Sequence, residues 1–134
     1  MIVVTNQAGV GRGYYNWAAF EAVQTAIEEK LSEAGAWLDG AWACAYHPDA
    51  DAEYRVEDHS HRKPNPGMLL EARAAMGLSM ARSWMVGDKV DDVEAGIRAG
   101  VKRSILVATG YGRELRKQAE ERFRGNEWSS ICGI

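Results

Sequence analysis

Short apolar runs alternate along the chain with stretches in which apolar residues recur every three or four positions. The short runs predict strands, and the periodic stretches predict amphipathic helices. This alternation is typical of an α/β fold in which a mainly parallel sheet is flanked by helices. No repeat or break in composition divides the chain, so we expect one domain over residues 1–134.

Turn and capping residues mark where these elements begin and end. The first strand ends at Thr5 and runs into a glycine-rich loop at Gly9, Gly11 and Gly13. Residues 47–63 form a long polar loop, of a length that usually has a function. The other predicted strands are 41–46, 84–86 and 104–108. The predicted helices run from Asn16 to Gly35, from Asn65 as N-cap with Pro66 in the first turn to Gly77, from Val90 to Gly100, and over the charged residues 113–124.

Composition narrows the class of protein. The 134 residues are 46% apolar and 26% charged with a net charge of −3, which predicts a globular protein without a cationic surface for nucleic acid or membrane. Two cysteines, Cys44 and Cys132, do not make a disulfide framework, so we expect a cytoplasmic location. We expect the core to contain all five tryptophans together with Met68, Met76 and Met85.

The glycine-rich loop between a strand and a helix raises the question of a dinucleotide site. The spacing does not fit, because Tyr14 stands where the third glycine of that fingerprint belongs. A phosphate loop ending in Gly-Lys-Ser or Gly-Lys-Thr is also absent from the sequence. We therefore expect no nucleotide cofactor here.

Three other features lie where ligands bind in open α/β sheets, at strand ends and helix starts. Thr5 ends the first strand, Arg62-Lys63 precedes a helix, and Gly87-Asp88-Lys89 follows the strand at 84–86. Each feature also has a plainer interpretation. In that interpretation Thr5 is a turn hydroxyl, Arg62-Lys63 is a solvated basic pair, and Asp88 is an N-cap followed by the first-turn carboxylates Asp91 and Asp92. Carboxylate oxygens are also the ligands that magnesium prefers, with substrate phosphate completing the shell.

In this order the three features resemble the haloacid dehalogenase-like (HAD) hydrolase superfamily, subfamily IIIA. The matching segments are 3–13, 62–70 and 85–89, within a resemblance that covers about Val3 to Gly110. Within the superfamily, these segments look like the subgroup that acts on heptose bisphosphate and histidinol phosphate. The resemblance implies a Rossmann-like sheet and phosphoryl transfer through a phosphoaspartate that water then hydrolyses.

The resemblance also implies a role for each matching residue. Thr5 would hydrogen-bond the phosphoryl oxygens, Lys63 would neutralise charge in the transition state, and Asp88 would hold magnesium. Asn6, Gln7 and Ala8 would form a wall beside Thr5. Arg62 would contact the distal part of the substrate, Lys89 would touch the substrate, and Asp92 would support Asp88 or Lys63.

One family motif is missing from the printed sequence. The strand ending in Asp-x-Asp-Gly, which supplies the nucleophile and the general acid/base, does not occur in it. The resemblance places that strand about one βα unit before Thr5, in the middle of the sheet between the strands that end at Thr5 and Asp88. We expect the sheet to have unpaired edges there.

Zinc is a second point of difference from the family. Zinc-bearing relatives have Cys-x-His and Cys-x-Cys where this chain has Cys44, Tyr46, His59 and His61. Tyrosine is a poor ligand, although Cys44, His47, His59 and His61 would form an acceptable donor set. The alternative is a buried Cys44 with histidines covering the loop, and we expect zinc to be substoichiometric.

The resemblance predicts a magnesium-dependent phosphatase of a small sugar bisphosphate, foremost D-glycero-D-manno-heptose 1,7-bisphosphate. Histidinol phosphate is the alternative substrate, and a non-catalytic phosphate-binding fragment is the alternative function. We expect a protein that is a monomer when full length and that binds neither nucleic acid nor membrane.

Overall fold

A computed structural model describes residues 1–131 of the chain. Backbone contacts divide it into two compact units, Met1–Arg62 and the described residues from Lys63 onward. Each unit has its own parallel sheet with helices, which confirms the predicted α/β class. Within residues 1–131, no helix combines the length and apolar character needed to cross a bilayer. Cys132, one of the two cysteines considered above, lies outside the described residues.

The first unit has a two-stranded parallel sheet. Its strands pair in register from Ile2 opposite Gly40 to Asn6 opposite Cys44. The elements are β1 (Ile2–Asn6), α1 (Ala8–Gly11), α2 (Trp17–Glu33) and β2 (Gly40–Cys44). The predicted long loop that follows is irregular apart from a 3-10 turn at Ala52–Tyr54.

Helix α2 begins and ends as its sequence predicts. The Asn16 side chain accepts a hydrogen bond from the Ala19 backbone N–H at 2.9 Å, and Gly35 follows the helix with φ +73°. The prediction of a glycine-rich loop before it is wrong, because these residues include the single helical turn α1. Gly11 is needed for packing: a Cβ there would lie 3.2 Å from the backbone carbonyl carbon of Ala45.

The second unit has a three-stranded parallel sheet in the order β3-β4-β5. Its helices are α3 (Gly67–Met76), α4 (Val90–Ala99) and α5 (Gly112–Arg122). Its strands are β3 (Trp84–Gly87), β4 (Arg103–Val107) and β5 (Trp128–Ile131). Strand β5 was not predicted from the sequence, because its residues Trp-Ser-Ser-Ile contain no long apolar run. Gly77 and Gly100 end α3 and α4 in the left-handed conformation, as predicted.

Among residues 1–131, β1 and β3 each have one edge that pairs with no other strand. Strand β1 pairs with β2 alone, and β3 pairs with β4 alone. The resemblance implies these edges, because it places the Asp-x-Asp-Gly strand beside both β1 and β3 in the family's sheet. Unpaired N–H and C=O groups on such an edge are available to a further strand.

The core of the second unit lies between α4, α5 and β4. Val93, Leu106 and Ala119 have exposures of 0%, 1% and 0%, and Phe123 closes the cluster at its α5 end. Apolar residues of α4 at spacings of three and four therefore face the sheet, as the sequence predicts.

The predicted core is wrong in part. Met68 and Met85 are buried, but Met76 is 38% exposed, Trp37 is 69% exposed and Trp84 is 61% exposed. Trp84 is exposed because residues of a strand alternate between its faces. The Met85 side contacts α4, since a Cβ on Gly96 would lie 2.7 Å from the Met85 Cβ, and Trp84 is on the opposite side.

The predicted N-cap of α3 is also wrong. The helix starts at Gly67 with Pro66 as its capping residue, and Pro66 makes no side-chain cap. The Asn65 side-chain oxygen instead accepts a hydrogen bond from Arg98 Nη1 of α4 at 2.9 Å. A tertiary contact with a guanidinium thus takes the place of the local cap.

Alternation along β3 predicts effects of different size from two neighbouring substitutions. Met85→Ala should lower the free energy of unfolding by about 2 to 4 kcal/mol, because it opens a cavity in the core. Val86→Ala should lower it by about 1 kcal/mol or less, because Val86 is 56% exposed. Urea unfolding followed by circular dichroism measures both, and equal losses would show that α4 does not cover one face of β3 only.

Candidate functional site

The predicted site residues of the first unit begin at the carboxyl end of β1. The Thr5 hydroxyl accepts a hydrogen bond from Gln7 Nε2 at 2.9 Å, and Gln7 Oε1 accepts one from the Tyr15 hydroxyl at 2.6 Å. Gln7 is also fixed through its backbone N–H, which donates to the Cys44 carbonyl at 2.7 Å. Because Gln7 donates to the Thr5 oxygen, the Thr5 O–H proton is available to donate to an anion. Asn6 ends β1, and Ala8 opens α1.

Arg62 lies at the end of the long loop, where two contacts hold it. Its Nη1 donates to the Tyr46 carbonyl at 3.2 Å, and its backbone N–H donates to the His59 carbonyl at 2.9 Å. The Tyr46 and His59 rings stack with centroids 3.8 Å apart and planes 9° apart. Two of the three positions at which this chain differs from the family's zinc pattern, Tyr46 and His59, therefore form an aromatic contact beside Arg62.

The other zinc candidates have different surroundings. Cys44 is 2% exposed, and burial raises the pKa of its thiol, which opposes the thiolate that zinc requires. His47 lies 2.9 Å from Arg12 Nη2, and burial together with the Arg62 and Arg12 charges lowers its pKa. Among residues 1–131, no three His, Cys, Asp or Glu side chains are grouped closely enough to hold a metal ion. The substoichiometric zinc content stays a prediction.

The second unit contains a nearly buried ion pair between Lys63 and Asp92. The Lys63 ammonium lies 2.7 Å from Asp92 Oδ1, and the two side chains are 12% and 8% exposed. Asp92 Oδ2 accepts a hydrogen bond from the Lys89 backbone N–H at 3.0 Å, at the start of α4. A Cβ on Gly87 would overlap the Asp92 side chain, so glycine is required at the end of β3. Lys63 is thus held in place and is not an exposed loop cation.

Asp88 directly follows β3, as predicted. Its Oδ2 accepts a hydrogen bond from the Tyr111 backbone N–H at 3.1 Å, while Oδ1 has no hydrogen-bond partner among the described residues. A magnesium ion takes one or two protein carboxylates, with substrate phosphate and water as its other ligands. The available Oδ1 of Asp88 fits that need as one carboxylate ligand.

Lys89 lies beside a shallow cavity of about 320 Å³. Its ammonium is 5.2 Å from the centre of the Tyr111 ring, within the range of a cation–π contact. Asp91 and Arg122 also line this cavity, so it has charges of both signs. A polar ligand would find both hydrogen-bond donors and acceptors there.

Three contacts were not found from the sequence: Arg12 with His47, Tyr46 with His59, and Tyr111 with Asp88. Each joins residues 13 or more positions apart, and no local spacing indicates them. Gly110 and Gly112, on either side of Tyr111, were a signal for the third contact, because glycines that flank a residue between a strand and a helix indicate a close approach of the backbone.

The ion pair predicts different effects for the two neighbouring aspartates of α4. Asp92→Ala should lower the free energy of unfolding by about 3 kcal/mol, because it leaves the Lys63 ammonium nearly buried without its partner. Asp91→Ala, on the more exposed side of the same helical turn, should lower it by about 1 kcal/mol or less. Urea unfolding compares them, and a small loss for Asp92→Ala would contradict the buried pair.

The chain matches a family profile and curated proteins of known name. Residues 60–126, half of the chain, match the family profile described as HAD-hydrolase-like. A D-glycero-beta-D-manno-heptose-1,7-bisphosphate 7-phosphatase of Mesorhizobium japonicum is 48% identical over 80% of this chain and 49% of its own length. The protein of that name from Escherichia coli K12 is 41% identical over 82% of this chain and 58% of its own length.

A solved structure agrees with these matches. The D,D-heptose 1,7-bisphosphate phosphatase of B. bronchiseptica, complexed with magnesium and phosphate, superposes with a TM-score of 0.80 at 28% identity. The match covers 97% of this chain and 66% of that one, and the chain spans about half the length of the two curated relatives. From the profile match, the sequence relatives and the shared fold together, the chain belongs to the HAD-hydrolase-like family.

Proposed function

We propose that this chain forms part of a magnesium-dependent phosphatase that removes one phosphate from a small sugar bisphosphate. The proposal depends on one observation, the ion pair between Lys63 and Asp92. This pair holds the Lys63 ammonium against the first turn of α4, the helix that begins two residues after Asp88. A fixed cation next to a strand-end carboxylate is the arrangement that phosphoryl transfer needs, because its catalysis consists mainly of positioning and charge stabilisation. The names of the relatives point to D-glycero-D-manno-heptose 1,7-bisphosphate as the substrate.

In the proposed reaction, this chain binds and polarises the phosphoryl group. Lys63 neutralises charge that develops on the phosphoryl oxygens, and it needs no reorganisation because Asp92 already holds it. Thr5 donates its hydroxyl proton to a phosphoryl oxygen, with Asn6, Gln7 and Ala8 beside it. Magnesium, bound through Asp88, would add Lewis-acid stabilisation of the same charge.

Two further cations contact the part of the substrate that does not react. Arg62 is held by the Tyr46 carbonyl and can present its remaining N–H groups to a second phosphate or to hydroxyl groups. Lys89 lies beside the 320 Å³ cavity and serves the same purpose. Attack on phosphorus would come from the aspartate of an Asp-x-Asp-Gly strand, which the printed sequence does not contain.

Lys63→Ala should lower kcat about 100-fold or more in a protein extended upstream to include an Asp-x-Asp-Gly strand, because a charge-stabilising cation is lost. Phosphate release from the heptose bisphosphate measures kcat. The value is normalised to the folded fraction measured by circular dichroism, because Asp92 loses its ion-pair partner in this variant and the fold loses stability. Lys102→Ala, which removes an exposed cation before β4, is the matched control and should leave kcat unchanged. A normal kcat in Lys63→Ala would remove Lys63 from the site.

The chain of 134 residues alone should release no phosphate from phosphomonoesters above background, because it has no attacking aspartate of the family's type. The assay is repeated after adding a peptide that carries an Asp-x-Asp-Gly strand. Magnesium-dependent turnover by the chain alone would instead identify Asp91 or Asp92 as the nearest candidate nucleophile and would contradict the proposed division of roles. Inactivity of the extended protein would favour the non-catalytic alternative.

A further inference from the structure

The loop between β4 and α5 lies directly on Asp88. Residues 109–112 form a tight turn in which the Gly112 N–H donates to the Thr109 carbonyl at 3.2 Å. Gly110 has φ +57°, a conformation that side chains other than that of glycine rarely permit. The turn directs the Tyr111 backbone N–H at Asp88 Oδ2, 3.1 Å away. The carboxylate is therefore held by backbone, across 23 residues of sequence.

Two glycines make this close approach possible. A Cβ on Gly110 would lie 2.9 Å from the Asp88 carboxylate carbon and even closer to its Oδ2. A Cβ on Gly112 would lie 2.9 Å from the Val107 carbonyl carbon. Real Cβ atoms do not approach other heavy atoms this closely, so a side chain at either position would force the turn away from β4 or rotate the Asp88 side chain.

The hydrogen bond has a chemical consequence for Asp88. With Oδ2 bound to the Tyr111 N–H, the carboxylate plane is fixed and Oδ1 is the oxygen left for a cation. Hydrogen bonds of this kind orient metal ligands before the metal binds, and their loss typically weakens metal affinity by about 10- to 100-fold. A free carboxylate would have to lose rotamer freedom at each binding event.

We propose that the turn at residues 109–112 is a positioning device that sets the divalent-cation affinity of Asp88, and that Gly110 is the residue on which its geometry depends. The inference rests on the proposed function, in which Asp88 holds magnesium. It goes beyond that function in assigning the loop at residues 109–112 a role that acts on the metal through Asp88.

The test compares two glycine substitutions that differ in the space around the added Cβ. Gly110→Ala and Gly77→Ala both place a side chain at positive φ, +57° and +64°, but nothing lies within 4 Å of a Cβ at Gly77. Water-proton relaxation measures the binding of Mn²⁺, and displacement of the Mn²⁺ by Mg²⁺ gives the affinity for Mg²⁺. Neither measurement needs turnover. Gly110→Ala should weaken binding about tenfold or more, and Gly77→Ala should change it less than twofold.

Asp88→Asn separates failure of this inference from failure of the proposed function. If Mn²⁺ binds wild type and Asp88→Asn equally, or does not bind wild type, the assignment of the metal to Asp88 is wrong. If Asp88→Asn loses binding but Gly110→Ala behaves like Gly77→Ala, the positioning role of the turn is wrong.

A second measurement covers the case in which Gly110→Ala does not fold. Amide hydrogen exchange of Tyr111 is followed by NMR in wild type and in Asp88→Ala, which removes the acceptor. Exchange should be at least about tenfold faster in Asp88→Ala, since one hydrogen bond protects this N–H. Equal exchange rates would overturn the proposal.

Discussion

The contact between Lys63 and Asp92 determines how the second unit is arranged around its candidate site. Both side chains are nearly buried, so neither charge can be solvated without the other, and their separation is 2.7 Å. The other Asp92 oxygen binds the Lys89 N–H, and the absence of a side chain at Gly87 allows Asp92 to lie against the end of β3. One carboxylate thus links the segment before α3, the end of β3 and the first turn of α4. Asp88 follows β3 at this same point, and its position depends on that arrangement.

The parts of the fold that local chemistry controls could be predicted from the sequence. Asn16 caps α2 because its side chain reaches a backbone N–H three residues later, and Gly77 and Gly100 end helices because they adopt positive φ. Apart from α1 and β5, the order of strands and helices followed from alternating periodicities. The candidate residues at the strand ends were found because parallel strands place their carboxyl ends at one edge of a sheet.

The remaining features depend on partners distant in sequence. Asn65 has the composition of an N-cap, but Arg98 binds its oxygen from 33 residues away. Trp84 has the composition of a core residue, yet it is exposed because α4 covers only the Met85 face of β3. The Asp88 contact with Tyr111 depends on a turn 23 residues later. In each case the outcome depends on how segments distant in sequence pack together, which local sequence preferences do not contain.

The proposed function depends on Lys63 and Asp88 binding a phosphoryl group and its magnesium ion. The most direct test is a crystal structure of the protein, extended to include an Asp-x-Asp-Gly strand, with magnesium and orthovanadate bound as a mimic of the transferring phosphoryl group. This assignment of roles predicts Lys63 Nζ within about 3 Å of a vanadate oxygen and Asp88 Oδ1 within about 2.1 Å of magnesium. Vanadate bound away from Lys63, or magnesium held without Asp88, would contradict it.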